Sequence, residues 1–136
     1  MKTPNKLLLW VAGLLMGCDA FDPPAETYRF EPPAVYDSLW AVMEGCSGLR
    51  GDMNRVAWFA IPGVFTFPCP EGGECSGLWV SPHSIYLASW AMADGPGGSP
   101  VRDGTYFVVR HEMLHDLLGG GEGHPPVFET CGVMRR

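Results

Sequence analysis

Four cysteines between positions 46 and 131 constrain the fold of this 136-residue chain more than any other feature. In a small domain such cysteines indicate two disulfides and an oxidising, extracytoplasmic compartment, and four cysteines permit three pairings. A cysteine metal site is the weaker interpretation, because the chain has no C-x-x-C pair. The segment CPEGGEC is a short, turn-rich loop, which favours a Cys69–Cys75 bond. That pairing leaves Cys46–Cys131, which would tie the beginning of the fold to its end.

The first 18 residues have the organisation of an export signal. Two lysines precede LLLWVAGLLMG at 7–17, an apolar stretch that is too short to span a membrane as a mature helix. The end of this stretch and the next residue, Leu15-Met16-Gly17-Cys18, resemble the lipobox of bacterial lipoproteins. The resemblance implies a signal peptide at 1–17, a lipid anchor on Cys18 and a location in the bacterial cell envelope, outside the cytoplasm. The alternative is an ordinary signal peptide, with Cys18 paired elsewhere.

The charge of the chain limits its partners. Removing residues 1–17 takes away two lysines and no acidic residue, so the net charge changes from −6 to −8. Such an acidic chain lacks the basic footprint that nucleic acids require, and anionic headgroups would not attract it. We therefore expect no nucleic-acid partner, and only the anchor at Cys18 would hold the chain at a membrane. We also expect a monomer.

The remaining pattern predicts a small α+β domain behind a tether. Residues 18–34 contain four prolines and no apolar period, which predicts an extended tether, and the domain would occupy 35–136. A first helix is expected at about 36–46. Its apolar stripe would comprise Val35, Leu39, Val42, Met43 and Cys46.

Branched and aromatic residues then predict a three- to four-stranded, mostly antiparallel sheet. Residues 55–67 would form two short strands around a break at Pro62-Gly63, and a third strand is expected at 78–81. The segment 84–90 alternates with two apolar faces, which favours an interior strand. Residues 93–104 would be loop.

A second, C-terminal helix carries the motif HEMLH. It would run from about 104 to 118, with Asp103 or Thr105 as its cap and Gly119 at its end. Beyond it the chain would be irregular. Its residues expected to pack against the core are Val127, Phe128 and Val133.

Within HEMLH, His111 and His115 lie one helical turn apart, so both rings can bind one ion. Catalytic zinc sites use three protein ligands and leave one position for water. Glu112, at the edge of the same face, could take a proton from that water and later deliver it to a leaving amine. This arrangement predicts a Zn²⁺ site with Glu112 as the catalytic base.

The stretch resembles the metzincin branch of the zincin peptidases, whose pattern is H-E-x-x-H-x-x-G-x-x-H followed by a methionine turn. The first five positions match, but the glycine of the family falls one place early, on Leu118, and its third histidine falls on Gly121. His124 is the expected third ligand, and the preceding glycines would allow the wider turn that it needs. The alternatives for the third ligand are Glu122 and Glu129, or a site that has no third protein ligand.

Downstream, CGVM resembles the ending of the archaemetzincin branch, which implies that Met134 lies beneath the metal. The zincin resemblance also implies an edge strand that pairs with an extended peptide substrate, and SIYLASW is the candidate. We expect His83 to be a surface or turn residue. Asp116 would be a solvated carboxylate or would orient a ligand ring.

Three functions follow from these patterns. The first is a membrane-anchored zinc metallopeptidase that acts on peptides or proteins. The second is a non-catalytic zinc-binding or inactive zincin-like lipoprotein that serves as a binding module. The third is an envelope lipoprotein that has disulfides but no metal. Glu112 favours the enzyme, because a structural zinc site needs no carboxylate there, whereas the small size of the domain favours a binding module.

Overall fold

A four-stranded mixed sheet and a separate two-stranded sheet form the β part of the α+β fold. In the computed structural model, residues 20–92, 106–120 and 123–134 are described. The order in the larger sheet is β1-β2-β6-β5, with β1–β2 and β5–β6 antiparallel and β2–β6 parallel. The strands are β1 (Tyr28–Arg29), β2 (Ala57–Ile61), β3 (Phe67–Pro68), β4 (Glu74–Cys75), β5 (Gly77–Val80) and β6 (Ser84–Ala88).

The predicted sheet is confirmed in its main features. Two of its three pairings are antiparallel, and β6 is the interior strand that its two apolar faces indicate. Ile85 and Leu87 lie on one face and are fully buried, whereas Tyr86 stacks against Phe59 on the other. Cys69, just after β3, bonds to Cys75 in β4, which confirms one of the two expected disulfides.

The segment predicted to be a tether is instead part of the domain. β1 lies inside the 18–34 range and pairs with β2. Phe21 packs against Tyr86 and Phe67, with ring centroids 4.9 and 5.9 Å apart. The predicted domain boundary at residue 35 is therefore too late. Proline is compatible with an edge strand, and the aromatic residues between the prolines have apolar surface to bury.

Helix α1 (Val35–Ser47) agrees with its predicted bounds to one residue at each end, and its buried face matches the predicted stripe in part. Its buried residues are Tyr36, Trp40 and Met43, whereas Val42 is 54% exposed. The other members of the predicted stripe are partly buried against the core: Val35, Leu39 and Cys46. Tyr36 and Trp40, one helical turn apart, thus add two aromatic rings to the buried face. Gly48 ends α1 in a left-handed conformation.

Helix α2 (Phe107–Leu118) contacts α1 on one side and β5 and β6 on the other. It begins about three residues later than predicted, at a left-handed Tyr106 that makes no side-chain cap. Gly119 ends it as expected. Asp103, Thr105 and the predicted loop at 93–104 lie outside the described residues, as do the signal peptide, Cys18 and Glu122.

The ending of the chain is more regular than predicted. A four-residue helix α3 (Val127–Thr130) follows Pro126, and Phe128 and Val133 are fully buried as expected. Cys131 then bonds to Cys46 at the end of α1, which confirms the second expected disulfide. This bond holds the chain after α3 against the helical side of the domain.

Candidate metal centre

Three histidine rings meet at one point on α2. His111 and His115 come from successive turns of the helix, and their ring centroids are 5.0 Å apart. The ring of His124 lies 4.7 Å from that of His111 and 5.1 Å from that of His115. The potential ligand atoms of the three residues all lie within 4.8 Å of one another. The structure thus brings together the three histidines that the sequence analysis singled out.

The spacing of the nitrogens fits a shared metal ion. The Nε2 atoms of His111 and His124 are 3.0 Å apart. Two nitrogens bound tetrahedrally at the zinc distance of about 2.0–2.1 Å would lie about 3.3 Å apart. A shift of a few tenths of an ångström therefore suffices for both to bind one ion. Three imidazoles suit a divalent transition metal and leave a coordination position open.

A glycine turn returns the chain from the end of α2 to the cluster. Gly119, Gly120 and Gly123 have φ values of 71°, 98° and 76°, which side chains rarely adopt. This is the wider turn that the displaced third histidine requires. His124 itself is exposed, whereas His111 and His115 are half-buried.

The ring of His111 is oriented by the chain ending. Its Nδ1–H donates to the carbonyl oxygen of Val133 over 2.7 Å. Because a carbonyl only accepts, this bond places the proton on Nδ1 and leaves Nε2 free to bind a metal. Val133 lies two residues after Cys131, so the Cys46–Cys131 disulfide holds the group that orients the ligand.

Phe128 lies against all three histidine rings. Its ring centroid is 4.9 Å from that of His111, 4.7 Å from that of His115 and 4.8 Å from that of His124. The sequence predicts only a packing role for Phe128 and places Met134 beneath the metal. Met134 lines a cleft together with His111 and His124, and its place beneath a bound metal stays a prediction. Helix α3 turns Phe128 toward the histidine rings, and no local pattern in VFET predicts that direction.

The histidines are held in their metal-binding form. Burial lowers the pKa of His115 to about 4, with a contribution from the neighbouring His111 and His124. Burial also lowers the pKa of His111, although the hydrogen bond to Val133 opposes it. Both imidazoles are therefore neutral near pH 7, and only the neutral ring can coordinate a metal.

Glu112 is buried beside the cluster, at the junction of α2 and β5. Burial raises the pKa of its carboxyl to about 8, and a hydrogen bond from the backbone of Trp79 opposes the shift. A Cβ atom on Gly77 would lie 2.8 Å from Oε1 of Glu112 and 2.6 Å from Cγ1 of Val108. Only glycine fits this close approach. No pattern in the sequence marks Gly77 as part of the site, and its only signal is a glycine at the start of an apolar strand.

A cleft of about 340 Å³ opens at this junction. β4, β5 and the residue between them form one wall, and the first two turns of α2 form the other. Apolar surface is added to the cleft by Val133 and Met134. The lining residues are Glu74, Cys75, Ser76, Gly77, Phe107, Val108, His111, Glu112, His124, Val133 and Met134.

The edge strand of the sheet differs from the one that the sequence predicts. SIYLASW lies in β6, between β2 and β5, so it cannot receive a further strand. The edge strands are β1 and β5, and β5 borders the cleft. The N–H of Ala88 donates to the carbonyl of Ser76, so in an antiparallel pair the peptide groups of Gly77 and Trp79 face the free edge.

Asp116 and His83 form a hydrogen bond to each other, which the sequence does not indicate. Asp116 is 4% exposed, so the expectation of a solvated carboxylate is wrong. Its Oδ1 accepts hydrogen bonds from Nε1 of Trp79 at 2.9 Å and from Nδ1 of His83 at 3.0 Å. His83 lies in the turn before β6, as expected, and its partner is 33 positions away.

Comparison with known proteins returns no relative: no family model, no curated protein and no solved structure matches the chain. Among the described residues, no helix is long and apolar enough to cross a membrane. A function is therefore inferred from the geometry of the histidine cluster.

The assignment of the third ligand has a direct test. Replacing His124 by alanine should lower zinc affinity by on the order of 100-fold or more, because even changes to the groups that orient ligands cost about 10–100-fold. Glu129→Ala should leave affinity unchanged, because Glu129 is exposed on α3 and is not part of the cluster. Competition with a chromophoric chelator measures both. Equal affinity of His124→Ala and the parent chain would remove His124 from the site.

Proposed function

We propose that this protein is a zinc-dependent peptidase, held on the extracytoplasmic side of a bacterial membrane by a lipid on Cys18. The observation that carries the proposal is one cleft that combines His111 and His124, the carboxyl of Glu112 and the open edge of β5. A purely structural metal site needs neither a buried carboxyl nor a free strand edge. Two disulfides agree with an oxidising compartment.

The strand edge indicates how a substrate would bind. An extended peptide can add to β5 through the main-chain groups of Gly77, which face the free edge of the sheet. Backbone pairing carries little sequence selectivity. The apolar side chains of Phe107, Val108 and Met134 would instead select the substrate residue that enters the cleft.

The chemistry assigned to the chain is hydrolysis of a peptide bond. A bound zinc ion would supply Lewis acidity, polarising the scissile carbonyl and acidifying the attacking water. Burial raises the pKa of Glu112 to about 8, and the positive charge of a bound ion nearby would favour its ionised form. That carboxylate would accept the proton that the water loses and then deliver it to the leaving nitrogen as the C–N bond breaks. His111, His115 and His124 would hold the ion, and the bond to Val133 keeps the ring of His111 oriented.

The proposal predicts a metal-dependent activity in the oxidised protein. We expect close to one zinc ion per chain by elemental analysis, and cleavage of members of a fluorogenic peptide library. Removing the metal with a chelator should abolish cleavage, and adding zinc back should restore it. Peptides with a bulky apolar residue next to the cleaved bond should be cut fastest.

Each other outcome selects a different function. Zinc binding without cleavage of any peptide would favour the non-catalytic binding module. A chain that neither retains zinc nor takes it up at micromolar concentration would contradict both the peptidase and the zinc-binding module. It would favour the third function, a lipoprotein that has disulfides but no metal. Lipidation of Cys18 is tested separately, by mass spectrometry of the membrane-extracted protein.

A further inference from the structure

Helices α1, α2 and α3 all pack on the same face of the larger sheet. Ile85 and Leu87 of β6 point into the core that these helices complete. On the opposite face Tyr86 stacks against Phe59, and Phe21 packs on Tyr86 with ring centroids 4.9 Å apart. Among the described residues, the apolar cluster on this second face draws on strands and loops and on no residue of the three helices. It is completed by the segment with which the described chain begins.

Phe21 places this second face close to the predicted lipid anchor. It packs against Phe67 as well as Tyr86, so it belongs to the folded domain. Cys18 is three residues earlier in the chain. An extended chain spans at most about 3.6 Å per residue, so the Cα atoms of Cys18 and Phe21 lie within about 11 Å of each other. A lipid on Cys18 would therefore hold the face around Phe21 next to the bilayer, because no longer tether separates the two.

The surface beside Phe21 exposes apolar groups. A cavity of about 480 Å³ opens there, and its lining includes four prolines and the rings of Phe21 and Phe67, with Asp22 as its acidic residue. Phe65 is 69% exposed, the largest value for a bulky apolar side chain among the described residues. Its ring lies 6.3 Å from that of Trp90, which packs in the cluster on this face. An exposed aromatic ring leaves water when it enters the headgroup region of a bilayer, so this surface favours membrane contact.

We propose that the surface formed by Phe21, the cavity and Phe65, here called the anchor face, lies on the bilayer that carries the lipid of Cys18. The cleft is then held at the same bilayer, and its substrates are proteins that are anchored there and cleaved close to the membrane. The inference rests on the proposed lipid anchor, and its statement about substrates rests on the proposed peptidase. The net charge of −8 after removal of residues 1–17 gives no attraction to anionic lipids, so the contact is apolar.

The β3–β4 hairpin connects the anchor face with the cleft. Cys69 lines the cavity and Cys75 lines the cleft, and their Cα atoms are 5.3 Å apart in the disulfide. The cleft thus begins about one strand spacing from the anchor face. A substrate held in the same membrane is confined to the layer in which the cleft lies, which raises its effective concentration without any new contact. A freely diffusing peptide gains nothing from this arrangement.

Fluorescence quenching tests the orientation without requiring activity or metal. A tryptophan replaces Phe65 on the anchor face or Val42, which is 54% exposed on α1, on the side of the helices. The lipidated protein is reconstituted in phosphatidylcholine vesicles with brominated acyl chains, and the parental signal is subtracted. Phe65→Trp should be quenched at least about threefold more strongly than Val42→Trp, because only position 65 faces the bilayer. Equal quenching at both positions, or none at position 65, would overturn the inference.

A longer connection to the anchor tests the consequence for substrates. A Gly/Ser linker of about 30 residues between Asp19 and Ala20 has a root-mean-square span of about 30 Å, so it lets the domain leave the bilayer. The reporter is a fluorogenic peptide attached to the same vesicles by an acyl chain and a short spacer. The parent should cleave it at least about 10-fold faster than the unanchored peptide at equal concentration. The linker variant should lose most of this advantage and cleave the unanchored peptide at the parental rate.

The matched control carries the same linker after Arg136, where it should change neither rate. An anchored reporter that the parent and the variant with the linker before Ala20 cleave equally fast would contradict the assignment of the substrates.

The outcomes distinguish this inference from the proposed function. If no peptide is cleaved but position 65 is quenched, the peptidase proposal fails and the membrane contact stands. If unanchored peptides are cleaved but positions 65 and 42 are quenched equally, the membrane contact fails and the peptidase proposal stands. Absence of a lipid on Cys18 would overturn the membrane contact and leave the chemistry proposed for the cleft standing.

Discussion

Replacing Glu112 by glutamine should lower peptide cleavage by about 10²–10⁴-fold, the usual contribution of a general acid–base group. Glutamine has nearly the same shape, and its carbonyl oxygen can still accept the hydrogen bond from the backbone of Trp79. It cannot accept a proton from water at neutral pH. The loss should therefore appear in kcat, with zinc content unchanged.

The matched control is Glu129→Gln. It makes the same change of charge on α3, at an exposed carboxylate near the chain ending, and should keep the parental rate. Steady-state kinetics on the best peptide of the library, together with metal analysis, distinguishes the variants. Parental cleavage by Glu112→Gln would show that this carboxyl is not the base, and would favour a binding module.

The second large effect is expected from the Cys46–Cys131 disulfide. The bond closes a loop across a sequence separation of 85 residues. By the loop-entropy relation, replacing both cysteines by serine should destabilise the domain by about 4–5 kcal/mol. The whole stability of small domains is about 5–15 kcal/mol, so the variant should lose between about a third and nearly all of its stability.

The same variant should weaken the metal centre. Cys131 holds the segment that contains Val133, and Val133 orients the ring of His111. We therefore expect zinc affinity to fall together with stability, measured by chelator competition and by urea unfolding. The Cys69→Ser/Cys75→Ser variant is the control: its loop spans 6 residues, so it should cost only about 2 kcal/mol and leave zinc affinity near that of the parent. Parental stability and zinc affinity without the long-range bond would contradict this account.

Several features of the site follow from local sequence. HEMLH in a helix places His111 and His115 one turn apart whatever surrounds the helix, because the helical repeat alone sets their spacing. The glycines after Leu118 permit the reversal that returns His124 to α2. The CPEGGEC loop closes on itself, so the Cys69–Cys75 pair, and with it Cys46–Cys131, was predictable.

Other features depend on residues far apart in the chain, and sequence periodicity does not contain them. Asp116 follows HEMLH like a surface acid, but its partners are 33 and 37 positions away. Gly77 resembles any strand glycine until Glu112 is placed against it. The proline-rich segment before α1 became part of the sheet because β2 had an edge to pair with, a fact of tertiary assembly.

By itself, the sequence determined the elements whose interactions are local: the helix that carries two histidines, the glycine turn, the short disulfide loop and the apolar strands. Only the tertiary structure decided which strand became the edge beside α2, that Phe128 contacts the three histidine rings, and that Asp116 binds Trp79. The reason is physical. Helical and turn geometry depends on neighbours within a few residues, whereas packing depends on which distant surfaces bury the most apolar area together and satisfy one another's polar groups.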